Sequence, residues 1–321
     1  MSVEAVAPGK VILLGEHFVV HGSKALSLAI DRYVRVKVSG SENPLEIFYT
    51  DTGEKAIYRG GWISNLDPEI LDPIKALTDR VQEYLGEKGN LHLEITFNLP
   101  ISAGLGSSAS LAAAVTKAVS QYLGHELGKE EVLELASLSE EMVHGKPSGI
   151  DLSTVTMGGL ILFDGAAKAV EERITGIDLS LLICDSGERR STGVMVGNVN
   201  ELRERYGEIF RRLVETSNLL VEEGYKALLE GDIESLGVIF NLSQGLLKAI
   251  GVSTRSLEAL IGEVEEMGAL GAKLTGAGGG GCIIALMGEE KEGILHRIRD
   301  KGYECFYAHP DLEGVRVIRK D

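Results

Sequence analysis

The stretch PISAGLGSSAS, Pro100 to Ser110, joins an alternating apolar run (Leu91 to Leu99) to a run rich in Ala, Leu and Val (Ser107 to Leu123) that lacks Gly and Pro. That pattern reads as strand, glycine loop and buried helix, with the helix N-terminus pointing at the loop. Gly104 and Gly106 let the backbone approach a triphosphate closely. Ser107, Ser108 and Ala109 present N–H groups that no helical carbonyl can take, and the helix adds the positive end of its dipole. Pro100 and Leu105 complete the loop. A tight turn before a core helix is the structural alternative for this stretch alone.

Two other glycine-rich segments flank it at a distance: Pro8 to Gly22 (PGKVILLGEHFVVHG) and Lys273 to Cys282 (KLTGAGGGGC). In the first, Lys10 stands between Gly9 and an apolar strand, a flexible cation able to reach a transferring phosphate or the hydroxyl that accepts it. Glu16 and His17 end that strand, an expensive place for two polar groups unless they meet a ligand or each other. In the third, Gly276, Gly278 and Gly279 belong to a run that continues into the apolar Cys282 to Leu286. Such a run costs chain entropy, which points to close backbone approach rather than a linker. The three segments together imply a nucleotide site and phosphoryl transfer.

A carboxylate suited to that chemistry lies at Asp151, in the turn His144 to Asp151 that follows the helical stripe Lys129 to Val143, which Gly145 and Pro147 stop. Aspartate is a weak base for an alcohol. In a loose phosphoryl-transfer transition state, however, the nucleophile loses its proton late, so positioning and charge neutralisation matter more. A helix N-cap is the alternative role for Asp151. Glu140, on the preceding helix, and the Ser108 hydroxyl are hard oxygen ligands of the kind Mg²⁺ prefers. The Walker pattern and the protein-kinase signatures are absent.

At 321 residues with 44% apolar content, two domains are expected, divided as 1–172 and 173–321 within the polar stretch Asp164 to Ile177. The formal charge of −16, from 32 basic and 48 acidic residues, argues against nucleic acid and anionic membranes as partners. Cys184, Cys282 and Cys305 show no metal spacing and read as reduced, buried thiols. No apolar run approaches a membrane span, and the N-terminus lacks an apolar signal region, so a cytoplasmic protein is expected.

Strands are expected at Val3 to Ala7, Lys10 to Leu14, Tyr33 to Val38, Leu160 to Phe163, Leu179 to Asp185, Tyr303 to Ala308 and Gly314 to Ile318. Helices are expected at Asp67 to Leu85, within Val199 to Glu230, and at Ile233 to Ile250, Thr254 to Met267 and Glu290 to Lys301. The order lacks a regular βα alternation, so the class is α+β.

Taken together, the three segments resemble the superfamily of galactokinase, homoserine kinase, mevalonate kinase and phosphomevalonate kinase over nearly the whole chain. Pro8-Gly9-Lys10 through Gly15-Glu16-His17, with Val19-Val20-His21-Gly22, is most similar to the mevalonate kinase branch. The short chain, and Cys184 to Glu188 where eukaryotic members have an Asn-Thr-Lys-Val-like stretch, resemble the archaeal members. The resemblance implies a two-domain small-molecule kinase fold: an N-terminal domain like the second domain of ribosomal protein S5, a C-terminal ferredoxin-like domain, and an active site in the cleft between them. It implies ATP and Mg²⁺, mevalonate as substrate, and a homodimer. It assigns Asp151 as catalytic base with Lys10 as its electrostatic partner, Ser108 and Glu140 to Mg²⁺, and Gly104 to Ala109 to the phosphates. Glu16, His17 and Thr192 fall on the substrate side. Another kinase of this superfamily, or a ligand sensor on the same fold, are the alternatives.

Overall fold

The long N-terminal strand β1 (Ser2–Leu14) pairs antiparallel with β2 (Lys24–Gly40), and this ribbon is the spine of the molecule. Chain pairing slips between Pro8 and Gly9, where the first glycine segment begins. The C-terminal half of β2 pairs from Val34 to Gly40 with one neighbour, while its N-terminal half pairs from Lys24 to Leu28 with another. A bend at the slip therefore lets one ribbon serve two branches of the sheet.

The computed structural model describes residues 2–101, 103–144, 148–189, 192–288 and 292–320. Among these, the first sheet has nine strands. Besides β1 and β2 it holds β3 (Leu45–Tyr49), β4 (Lys55–Tyr58), β5 (Trp62–Ile63), β6 (Leu91–Phe97), β7 (Leu160–Asp164) and β8 (Ala169–Ile174). Helices α1 (Pro68–Leu85), α2 (Ser107–Tyr122), α3 (Lys129–His144) and α4 (Ile150–Met157) belong with them. Asp67 caps α1 by accepting from the Glu69 N–H. α2 is rich in Ala and Ser, so it packs closely on β1 and β2 with α1 and α3 on its other sides.

The second sheet is antiparallel, in the order β10 (Ala269–Leu274), β11 (Cys282–Met287), β9 (Leu181–Asp185), β12 (Glu304–Ala308). Around it lie α5 (Thr192–Arg205), α6 (Gly207–Glu230), α7 (Ile233–Ala249), α8 (Arg255–Glu266) and α9 (Glu292–Asp300). Both of its faces are buried. Leu181 and Ile183 face a core shared with β1 and α2, whereas Leu182 and Cys184 face α8. One continuous core thus runs through both halves, and they meet as packed bodies.

The class is α+β, as the sequence suggests, and several expectations change in detail. The two N-terminal strands are one. The polar stretch Asp164 to Ile177 contains β8, hydrogen-bonded to β7. The last strand, β13 (Arg316–Lys320), leaves the second half and pairs with β1 at the edge of the first sheet. Gly145 and Pro147 lie outside the described residues. The expectation of three free thiols is wrong for two of them. Cys184 on β9 and Cys305 on β12 lie directly opposite each other and form a disulfide, and among the described residues only Cys282 is free. Their sequence separation of 121 residues hid that register.

Candidate active site

All three glycine segments meet where α2 begins. Gly106 is the N-cap of α2 at φ 76°, and Gly104 has φ 86°. The Lys10 N–H donates to Leu105 O at 2.9 Å, and the Lys10 ammonium donates to Gly104 O at 3.1 Å. From the third segment, Cys282 N–H donates to Ala103 O at 3.1 Å. The Thr275 hydroxyl accepts from Ile12 N–H at 2.9 Å and donates to Ile12 O at 3.1 Å. Glycine is required here by contact: a Cβ on Gly106 would lie 2.7 Å from Lys10 Cγ. Gly106→Ala therefore adds left-handed strain of about 1–3 kcal/mol and displaces the lysine stem. We expect kcat to fall more than about tenfold for 1.4 kcal/mol or more of misplacement, in steady-state assays paired with denaturant unfolding. Parent kcat would contradict the contact.

Lys10 is 2% exposed and its Nζ lies 3.1 Å from Asp151 Oδ1, with Asp151 37% exposed. Asp151 does not cap its helix. Gly149 holds the N-cap position, and Asp151 stands in the first turn of α4, where a negative charge is favoured by the dipole. The sequence offers this helix only through the alternative N-cap reading of Asp151. The helix is short, with Thr154, Val155 and Thr156 in series, and burial of Ile150, Leu152 and Val155 sustains it.

On the other side of the α2 N-terminus, the Ser108 hydroxyl donates to Glu140 Oε1 at 2.7 Å, and Glu140 on α3 is buried. A serine hydroxyl and a buried carboxylate, both oxygen donors, fit a small hard cation that also takes phosphate oxygens. Among the described residues no group of three or more His, Cys, Asp or Glu could hold a metal unaided.

The substrate-side candidates divide. His17 adopts φ 60°, and its Nε2 lies 2.8 Å from Ala277 O, tying the first segment to the third. Burial pushes its imidazole pKa down. Glu16, by contrast, is fully buried in an ion pair with Lys273. The resemblance places Glu16 on the substrate side, and in the structure its carboxylate is paired within the protein. Burial raises the Glu16 pKa and lowers that of Lys273. Thr192 opens α5, and its side chain lies outside the described residues.

Pro100 sits at the loop entrance, in a groove of about 700 Å³ shared with Tyr303 and Phe306. Gly278 and Gly280 have no room for side chains: a Cβ would lie 2.3 Å from Val252 O and 2.6 Å from Glu188 O respectively. Gly276 approaches Gly104, with its Cβ position 3.1 Å from Gly104 Cα, and Gly279 N–H donates to Val252 O at 2.7 Å. Sequence reasoning missed Asp185 and Arg189. The buried Asp185 carboxylate takes both guanidinium ends of Arg189 at 2.7 and 2.6 Å, fixing the loop against which the third segment packs. Its only signal is an acid and a base four residues apart in a glycine-containing turn.

The chain is similar to known proteins over its whole length. Residues 72–159 match the GHMP kinases N terminal domain and residues 225–304 the GHMP kinases C terminal domain. The mevalonate kinase of Aeropyrum pernix is 35% identical over 98% of both chains. That of Pyrococcus furiosus is 34% identical over 99% of this chain and 98% of its own. Among solved structures, L. major mevalonate kinase in complex with R-mevalonate superposes with TM-score 0.81 at 30% identity over 95% of both chains. Methanococcus jannaschii mevalonate kinase gives TM-score 0.83 at 27% identity over 97% of this chain and 98% of that one. With relatives this similar over the full length, and with the three glycine segments converging on the Lys10–Asp151 pair, the chain belongs to the GHMP kinases and, within them, to the mevalonate kinase family.

Proposed function

We infer that this protein transfers the terminal phosphoryl group of ATP to the primary hydroxyl of mevalonate, giving 5-phosphomevalonate and ADP. The observation that carries this reading is the Lys10–Asp151 contact of 3.1 Å beside the glycine loop at the α2 N-terminus. The hydroxyl oxygen attacks the γ-phosphorus, the bond to the β–γ bridging oxygen breaks, and the hydroxyl proton passes to Asp151. Lys10 neutralises charge between the acceptor oxygen and the phosphoryl group, and backbone N–H groups at Ser107 to Ala109 receive the phosphates. A buried, preorganised ammonium does this without solvent reorganisation. His17 borders the acceptor, in line with its place on the substrate side.

Ser108 and Glu140 would hold Mg²⁺, which when bound neutralises phosphate charge. Glu140→Gln keeps the shape of the side chain and removes its charge. We expect the Mg²⁺ concentration for half-maximal rate to rise at least about tenfold, since even indirect partners of a metal cost 10–100-fold. An unchanged Mg²⁺ titration would remove Glu140 from the assignment. A division between domains at residues 172 and 173, a cytoplasmic setting and a homodimer accompany the same reading, and light scattering checks the last.

An ADP-release assay with mevalonate, phosphomevalonate, galactose and homoserine tests the central claim. Turnover confined to mevalonate is expected. Preference for another alcohol overturns the substrate, and binding without turnover on any of the four makes the protein a sensor.

A further inference from the structure

Lys273 belongs to no step above, yet its surroundings are unusual. The side chain is 0% exposed, and its ammonium donates to the Glu16 carboxylate and, at 2.7 Å, to Leu274 O. The ring of Phe240 lies 5.9 Å away. Glu16 is equally buried, and its second oxygen, Oε2, has no hydrogen-bond partner among the described residues. An acid so placed is fixed through one oxygen by a single buried ammonium.

A buried ion pair is poorly explained by stability, because apolar residues of similar volume often serve as well or better. What such a pair supplies is orientation. Three rungs tie the third segment to the first at alternate residues: Lys273 to Glu16, Thr275 to Ile12, and Ala277 to His17. The outer two hold adjacent residues: His17, whose own φ of 60° a non-glycine side chain rarely adopts, and Glu16 just before it. Strain of that kind persists only where the surroundings fix it.

We propose that Lys273 is a positioning residue for the acceptor side of the site, acting through Glu16 on the His17 turn. The proposal rests on the mevalonate-kinase reading above and adds to it a residue on β10 in the second half of the chain. Lys273 fixes the Glu16 carboxylate by a direct hydrogen bond, and its charge opposes the effect of burial. Once that partner is gone, the Glu16 carboxylate loses the donor that fixes it, and the His17 turn loses one of its two fixed ends. Phosphate-loop contacts at Ser107 to Ala109 lie on α2 and are unaffected.

The test is a double-mutant cycle of Lys273→Met, Glu16→Gln and the combined variant, each assayed for kcat and for KM with both substrates, beside the parent. Methionine fills the lysine stem, and the combined variant leaves no buried charge, so it folds even where Lys273→Met alone does not. Expected are a loss of about tenfold or more in kcat/KM for mevalonate, corresponding to 1.4 kcal/mol or more, and a KM for ATP within about threefold of the parent. The loss in the combined variant should match that of Glu16→Gln instead of compounding it, because one interaction is removed by either change. Losses that multiply, a loss falling equally on ATP, or parent kinetics in a folded combined variant would overturn the proposal. Absence of mevalonate turnover in the parent itself is a failure of the substrate reading and is seen before any variant is made.

Discussion

Replacing Asp151 by asparagine is expected to lower kcat by at least about 100-fold while leaving ATP affinity near that of the parent, because a positioned general base contributes about 10²–10⁴ in rate. Asparagine has the same size and still offers Lys10 an oxygen, so the 3.1 Å contact can persist as a neutral hydrogen bond. What disappears is the site that takes the hydroxyl proton, together with the charge that aligns Lys10. Loss of a first-turn carboxylate on α4 also removes a dipole interaction of about 0.3–1 kcal/mol, too small to unfold the protein. Binding and turnover therefore separate: nucleotide titration should look like the parent, and single-turnover ADP formation should nearly stop. Asp151→Asn with normal turnover would remove Asp151 from the chemistry and leave Lys10 without its stated purpose.

How far the site could be read from the chain follows from how local each contact is. The loop Gly104 to Ala109 and α2 were legible because their cause is local: two glycines, then small residues at helical spacing. Ser108 and Glu140, 32 residues apart, are joined by the oxygen chemistry that Mg²⁺ prefers, and Lys10 and Asp151 only through the family resemblance, since nothing in periodicity links separate segments. Glu16 and Lys273, 257 residues apart, share no local pattern that links them, and the sequence offered Glu16 only a ligand or His17 as its partner. The Cys184–Cys305 bond depends on strand register, set by a sheet that forms from β9 and β12. The short strands β3 to β5 were missed because their pairing, including the parallel β3–β6 contact, is itself non-local. Tertiary burial decides such elements, and propensity follows.

Lys10→Met separates catalysis from stability in the opposite sense. The lysine stem is packed against Gly106 and only 2% of the residue is exposed, so methionine, unbranched and adaptable, can occupy the same channel. A buried ammonium is costly to desolvate, and here its partners are a carbonyl and a carboxylate that is 37% exposed and can turn to water. The folded state should therefore keep a thermal midpoint close to the parent's or above it. Turnover should fall about 100–1000-fold, the usual consequence of deleting one preorganised group that stabilises developing charge. Because Lys10 and Asp151 act as a unit, adding Asp151→Asn should cost little beyond the larger single loss. Retained kcat with a lowered midpoint would make Lys10 a structural ion-pair partner, and the phosphoryl-transfer role would then have to be sought elsewhere along the three converging segments.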